Sequence, residues 1–497
     1  MINERFFSFI KSQKIILVLI LCTFFLKGVF LVVIQPIFTG QDEARHYDTV
    51  QYFAEPKNAV PETEKITKKN YDEARDKDNF NTYNFTEEIQ KTAQATNTDI
   101  IRGDMFNTID FSRSYNGENE TTINLKTWKP YNYYAEPDIA GTSSLYHKAT
   151  SHIEKWLSDQ TILTRFYTIR IFSALLGTIT LFFCYLTART IGFSSYVSLI
   201  LTALISFQPK FSLYFTNINY DVLLIPMFFL FTYAGVRTLK HGLTWRNILL
   251  LVAPIIIATE TKATGYILVI IFVALITFLL YKKVEQQTKY FRYSVYGICS
   301  LVALFIMQYL YSHFLVSDLS LVQRMESLFS YLSKTITFGK FIMPSDTYWG
   351  ILGWTNNAFL WTVPWGILLL ELLALFGLGL LFFSKTFSQS YPSFLPAKKY
   401  ILFLIGMIVA LQLGVRIADW SAFSRLGSMT MSLGTPGRYF LPNLSAHILL
   451  MATGLGALLA YTKKERYFET ILLGLLILMF SLMMYLTFNA LILRFYF

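Results

Sequence analysis

Asp42, Glu43, Arg45 and His46 stand within five consecutive positions, just beyond the first long apolar segment of the chain. Two carboxylates beside a guanidinium and an imidazole can take a proton from a hydroxyl while offsetting the charge of an adjacent anion such as a phosphate. On a helix starting near Asp42, Arg45 and His46 follow three and four positions later and share its face, whereas Glu43 points elsewhere. Acids in a first helical turn are also favoured by the macrodipole, so Asp42 and Glu43 suit a helix cap as well. Capping alone, however, requires neither the second acid nor the neighbouring cations.

Other candidates come from distant segments. Glu260 and Lys262 interrupt an apolar stretch, where a charge is costly unless it meets water or a partner. Mutual neutralisation would suffice, but a hairpin tip in a wet cavity would also present Lys262 to an anion. Thr216, Asn217, Asn219 and Asp221 fill a polar turn, in which Asp221 is either a helix cap or a second acid beside the site. Gly437, Arg438, Tyr439 and Pro442 open a late apolar segment; a cation at a helix N-terminus is disfavoured by the dipole, so Arg438 should face an anionic partner. Lys27, inside the first apolar segment, calls for snorkelling or a buried partner. Tyr348, Trp349 and Trp354 suit a membrane interface at least as well as a ligand stack.

The elements that must position these residues are membrane spans. With 54% hydrophobic and only 15% charged residues over 497 positions, the chain exceeds what one soluble core can use. Segments able to cross a ~30 Å hydrocarbon layer lie near 15–38, 167–189, 195–213, 222–238, 292–316, 358–383, 400–416, 441–461 and 468–490. Two short helices meeting near Lys262, between Arg246 and Lys282, bring the expectation to about eleven transmembrane helices in an all-α polytopic membrane protein. In the short segments that this scheme places on one side, seventeen Lys and Arg stand against four Glu. The excess makes that side, with the N-terminus, cytoplasmic. It also accounts for most of the +11 net charge, so no nucleic-acid partner is implied. The C-terminus and a large loop at 39–160 are then external. The apolar run of the first span is too long for a cleaved leader, and it is read as an anchor.

Within the 39–160 loop, residues 61–120 are polar and read as a mobile or small elaborated insertion. Ala44, Tyr47, Val50 and Ala54 recur at helical spacing until Pro56, and Leu145, Ala149, Ile153, Trp156 and Leu157 form a second stripe. Both are expected to be amphipathic helices lying on the outer membrane surface as a partial lid. Cys22, Cys184 and Cys299 fall in apolar segments and suit packing rather than disulfides. Asn84 with Thr86 and Asn119 with Thr121 are weak glycosylation sequons. No phosphate-binding loop, dinucleotide fingerprint or zinc-ligand spacing occurs. One domain spans 1–497, with no soluble domain expected after the last span.

These residues resemble the GT-C superfamily of membrane glycosyltransferases, particularly the protein O-mannosyltransferase and aminoarabinose transferase group and its uncharacterised bacterial relatives. Asp42-Glu43-Ala44-Arg45 is similar to the group's acidic pair with arginine, and His46 to the form found in the uncharacterised relatives. Thr261-Lys262 resembles its lysine turn, Asn219 and Asp221 a second acidic loop, and Gly437-Arg438-Tyr439 with Pro442 a late arginine motif. The resemblance runs from about 30 to 450 and implies a glycosyltransferase of the plasma or inner membrane. Such an enzyme moves a sugar, mannose in many members, from a polyprenyl phosphate to a protein, lipid or glycan acceptor of the cell envelope. It implies that Asp42, with Glu43, assists the acceptor, and that Arg45, His46, Lys262 and Arg438 hold the donor phosphate. Because some members use a divalent metal, Mg or Mn bridging Asp42, Asp221 and the phosphate is a further implication; no other cofactor is expected. The principal rival is a transporter or flippase of a lipid-linked sugar, which calls for paired broken helices and internal symmetry. One interrupted hairpin and no evident repeat are present.

Overall fold

The computed structural model describes residues 13–40, 42–54, 86–98, 144–284, 293, 297, 321–337, 348–350, 362–426 and 437–496. They form a helical membrane protein, and eight helices are long and apolar enough to cross a bilayer. In chain order the principal elements are α1 (Gln13–Ile34), α2 (Glu43–Ala54), α3 (Glu87–Ala95), α4 (Leu145–Trp156), α5 (Ile162–Ile191), α6 (Ser195–Ser206), α7 (Pro209–Tyr214) and α8 (Asp221–His241). There follow α9 (Trp245–Thr259), α10 (Tyr266–Val284), α11 (Leu321–Thr337), α12 (Thr362–Phe383), α13 (Lys398–Leu426), α14 (Leu444–Tyr461) and α15 (Phe468–Leu486). The expected span at 292–316 lies outside the described residues, apart from positions 293 and 297.

Apolar composition makes these helices, but polar groups decide where they stop. The segment expected to cross at 195–213 is broken: α6 ends at Ser206, and Pro209, which has no amide hydrogen to give, starts α7 with Gln208 capping the Phe211 amide. Lys27 does not snorkel. Its ammonium donates to the Ser206 carbonyl at the end of α6 and to Ser212 Oγ at 2.8 Å, between the rings of Phe24 and Phe207. Helices α12 and α14 approach so closely that a Cβ on Gly454 would come within 2.0 Å of the Ala374 carbonyl. Small residues at such a crossing replace the hydrophobic drive that lipid cannot supply.

Both expected surface helices exist, as α2 and α4, but α2 does not dip into lipid. Ala44, Tyr47, Val50 and Ala54 are all buried in protein, with Tyr47 edge-on to Phe166 of α5. Helix α3, within the stretch expected to be an insertion, also docks, through the buried Ile89 and Ala93. A polar knot fastens the three to the membrane domain: Arg165 of α5 donates to both Glu88 and Glu154. The Tyr47 hydroxyl donates to Glu154 at 2.9 Å and Gln51 Nε2 to Glu88 at 3.0 Å. Burial raises the pKa of both carboxyls, against the pull of Arg165. These three helices are therefore held from inside, with one guanidinium shared between two acids.

Candidate active site

The chain leaves α1 at Ile34 and turns back on itself before α2, and a single arginine organises the turn. Arg170, fully buried in α5, donates to the carbonyls of Val32, Gln35 and Pro36, satisfying groups that the end of α1 leaves without helical partners. Its remaining donors grip Glu43 in a fork, Nε to Oε1 at 2.8 Å and Nη2 to Oε2 at 2.7 Å. Glu43 also accepts from the amides of Gly40 at 2.9 Å and Ile218 at 3.0 Å. Four bonds saturate this carboxylate and tie the α1–α2 turn to the loop before α8. Glu43 is thus held inside the fold, with no exposed surface.

Gly40 is needed where it stands, since an added Cβ would lie 2.6 Å from Glu43 Oε2 and 2.8 Å from Asn217 Cγ. Arg170 fixes the Glu43 carboxylate and Asn217 is buried, so Gly40→Ala is expected to lower the yield of folded protein sharply. Recovery of a monodisperse variant at wild-type yield by size-exclusion chromatography would contradict this packing.

Asp42 precedes the helix rather than opening it, with φ at +56°. Asp is among the few residues that enter this left-handed region readily, and its carbonyl still accepts the His46 amide at 3.0 Å. Its side chain turns to Arg438, whose Nη2 donates to Oδ2 at 3.2 Å, joining positions 396 residues apart. Arg438 lies in a 3-10 helix, Gly437–Asn443, that leads into α14. The side chain of Asp42 keeps 27% of its surface, against 4% for Asp221 and 0% for Glu43, so of the three acids Asp42 is the accessible one.

Lys262 stands at the tip between α9 and α10 in an extended conformation. Gly265 permits the tight turn, because a Cβ there would meet the Ala258 carbonyl carbon at 2.3 Å. The ammonium pairs with Asp221 at 2.8 and 3.1 Å rather than with Glu260, and it sits 4.5 and 4.4 Å from the ring centres of Tyr220 and Tyr439. Burial, the largest single influence, disfavours its charge, but Asp221 and the two tyrosines together outweigh it and hold the amine above its usual pKa. Asn219 performs the capping, its Oδ1 accepting the Asp221 amide at 2.9 Å, which releases the Asp221 carboxylate to Lys262 and to the Tyr214 hydroxyl at 3.0 Å. The Glu260 carbonyl accepts the Leu145 amide at 2.8 Å, pinning the start of α4 to the hairpin tip.

The structure thus brings Asp42, Arg438, Tyr439, Lys262, Tyr220, Asp221 and Asn219 into one cluster drawn from four separate segments. Arg45 is half-buried at its margin and is one of three cations, after Lys262 and Arg438, that hold down the pKa of His46. His46 itself turns inward. Its Nδ1 lies 2.9 Å from His147 Nε2, the rings stack at 5.1 Å, and Tyr220 packs edge-on at 4.8 Å. Burial is the main influence that lowers the pKa of both imidazoles. Asp42 and Asp221 each face a cation, and among the described residues no three His, Cys, Asp or Glu side chains form a metal-binding group. Tyr348 and Trp349 are core residues, bonded to His447 at 3.1 Å and Glu371 at 3.2 Å; Trp354 lies outside the described residues.

The histidine pair predicts a pH response. Both pKa values are lower in the folded chain than the ~6.5 of a free imidazole, so their contribution is complete above that value and falls as pH drops through it. The slope approaches about 1.4 kcal/mol per pH unit for each histidine. Glu88 and Glu154, raised by burial, act in the opposite sense above their unfolded value of roughly 4.3. On acidification from pH 7.5 to 5.5 the thermal unfolding midpoint should therefore fall more, or rise less, in wild type than in His147→Gln; identical profiles would contradict the lowered pKa values of the pair.

Arg170, Arg165, His147 and the tyrosine box were not anticipated. The signal for both arginines was present, as guanidinium groups inside or at the edge of an apolar span. Residues 161–312 match the sequence model of the dolichyl-phosphate-mannose-protein mannosyltransferase family. The matched stretch contains Arg165, Arg170, Asn219, Asp221 and Lys262, and the match supports a membrane glycosyltransferase of the GT-C type. No curated protein matches the chain.

Proposed function

We propose that this chain transfers a sugar from a polyprenyl-phosphate carrier to an acceptor hydroxyl or amine on the external face of the membrane. The observation that carries this reading is one accessible carboxylate paired with a cation from a distant segment, Asp42 with Arg438, beside a second pair, Lys262 with Asp221. Asp42 takes the acceptor proton as the acceptor atom bonds to the anomeric carbon and the bond from that carbon to the phosphate oxygen breaks. Arg438 and Lys262, with Arg45 at the margin, offset the charge that grows on the departing phosphate, an effect strongest where little water competes. Glu43 and His46 stand behind this site, one holding the turn and the other backing Tyr220. Positive charge for the leaving group comes from these side chains, and no step is assigned to a metal.

Mass spectrometry of lipid retained by the purified protein tests the donor class. A polyprenyl phosphate or its glycosylated form should co-purify with wild type and be depleted several-fold in Lys262→Ala. Recovery of bulk phospholipid alone from wild type would overturn the assignment.

A further inference from the structure

Glu43, Asp221 and Asp42 each face a cation, but the three pairs are made with unequal firmness. Arg170 holds Glu43 in a two-bond fork, and neither side chain is exposed. Lys262 meets both oxygens of Asp221, at 2.8 and 3.1 Å, while the Tyr214 hydroxyl donates to the same carboxylate and two tyrosine rings flank the ammonium. Asp42 and Arg438 share a single contact, Nη2 to Oδ2 at 3.2 Å. Charged partners usually approach to about 2.7–2.9 Å. This contact is also the sole hydrogen bond to the Asp42 carboxylate among the described residues. Arg438 Nε, though buried, has no hydrogen-bond partner among them. Such a guanidinium has donors to spare, and its planar fork matches two oxygens of a phosphate as well as it matches a carboxylate.

We propose that the donor phosphate takes Arg438 from Asp42, so that donor binding frees the base and the site fills in order, donor before acceptor. This exchange rests on the reading of the site as a lipid-phosphate sugar transferase with Asp42 as its base. Lys262 keeps its place, because leaving Asp221 would break two bonds and strand a carboxylate only 4% exposed. Arg438 gives up one long bond, and the acid it leaves keeps 27% of its side-chain surface. A carboxylate that loses its cation beside a bound anion also holds a proton more readily, which suits the acid that receives one from the acceptor. An acceptor arriving first meets Asp42 already engaged. When the polyprenyl phosphate departs, Arg438 closes on Asp42 again.

Carbodiimide labelling of the full chain in detergent tests the exchange, because the reagent attacks a protonated, accessible carboxyl and spares one held by a cation. Labelled positions are mapped by peptide mass spectrometry with undecaprenyl phosphate or, as the control without phosphate, undecaprenol, and retention of each lipid is measured on the same samples. Labelling of Asp42 should rise several-fold with undecaprenyl phosphate and stay unchanged with undecaprenol, while Glu43 and Asp221 stay unlabelled. Arg438→Gln should label at the raised rate without lipid. Retention of undecaprenyl phosphate with Asp42 labelling unchanged or reduced would overturn the exchange and leave the donor assignment standing. Slow labelling of Asp42 in folded Arg438→Gln would overturn it too. Failure to retain undecaprenyl phosphate would overturn the donor assignment, and the exchange with it.

Discussion

Asp42→Asn is expected to lower kcat for sugar transfer by about 10²–10⁴, the range associated with loss of a positioned general base, with little change in donor affinity. The substitution isolates chemistry because Asn tolerates the left-handed backbone as Asp does, whereas Ala at φ +56° would add strain. Asn also keeps a carbonyl oxygen for the single contact from Arg438 at 3.2 Å. A rise in KM with kcat intact would instead make Asp42 a binding group. The neighbouring acid should behave differently. Glu43→Gln removes no accessible base, so its defect should appear as loss of folded protein rather than as a selective fall in turnover.

The second large effect is expected at Arg170. Arg170→Met strips Glu43 of its charge partner and exposes three carbonyls at the end of α1, in a place where both side chains have no solvent access. Breaking a buried pair in this way costs about 3–5 kcal/mol, a large share of the roughly 5–15 kcal/mol that holds ordinary domains together. The variant should be recovered poorly, with a strongly lowered unfolding midpoint in detergent. Arg170→Gln combined with Glu43→Gln should lose less than the sum of the two single changes, because neither leaves the other's charge stranded. Strict additivity would show that the fork is not the stabilising contact.

Much of this arrangement is legible in the chain because a charge at a break in an apolar pattern is hard to explain away. Lys262 at the hairpin tip, Arg438 before α14 and Asp42 after α1 all announce themselves so, and the structure gathers them around Tyr220 and Tyr439. Partner choice is a different matter. Nothing in the local pattern tells Glu43 to prefer Arg170 over a substrate, or Lys262 to take Asp221 in place of the nearby Glu260, because those distances are set by how helices cross. Periodicity has the same limit: the stripe on α2 correctly marks a buried face, yet protein and lipid bury it equally well, and here Phe166 rather than lipid receives Tyr47. His46 shows the converse, a polar residue covered by His147 arriving from 101 residues away and by Tyr220.

Transfer from a defined donor tests the central claim most directly. Purified chain in liposomes, supplied with a panel of polyprenyl-phosphate sugars and peptide, lipid and glycan acceptors, should release polyprenyl phosphate and form a glycosylated acceptor in wild type, with both products formed about 10²–10⁴ times more slowly in Asp42→Asn. Undiminished transfer by Asp42→Asn, or translocation of the intact lipid-linked sugar without any transfer in wild type, would contradict the account.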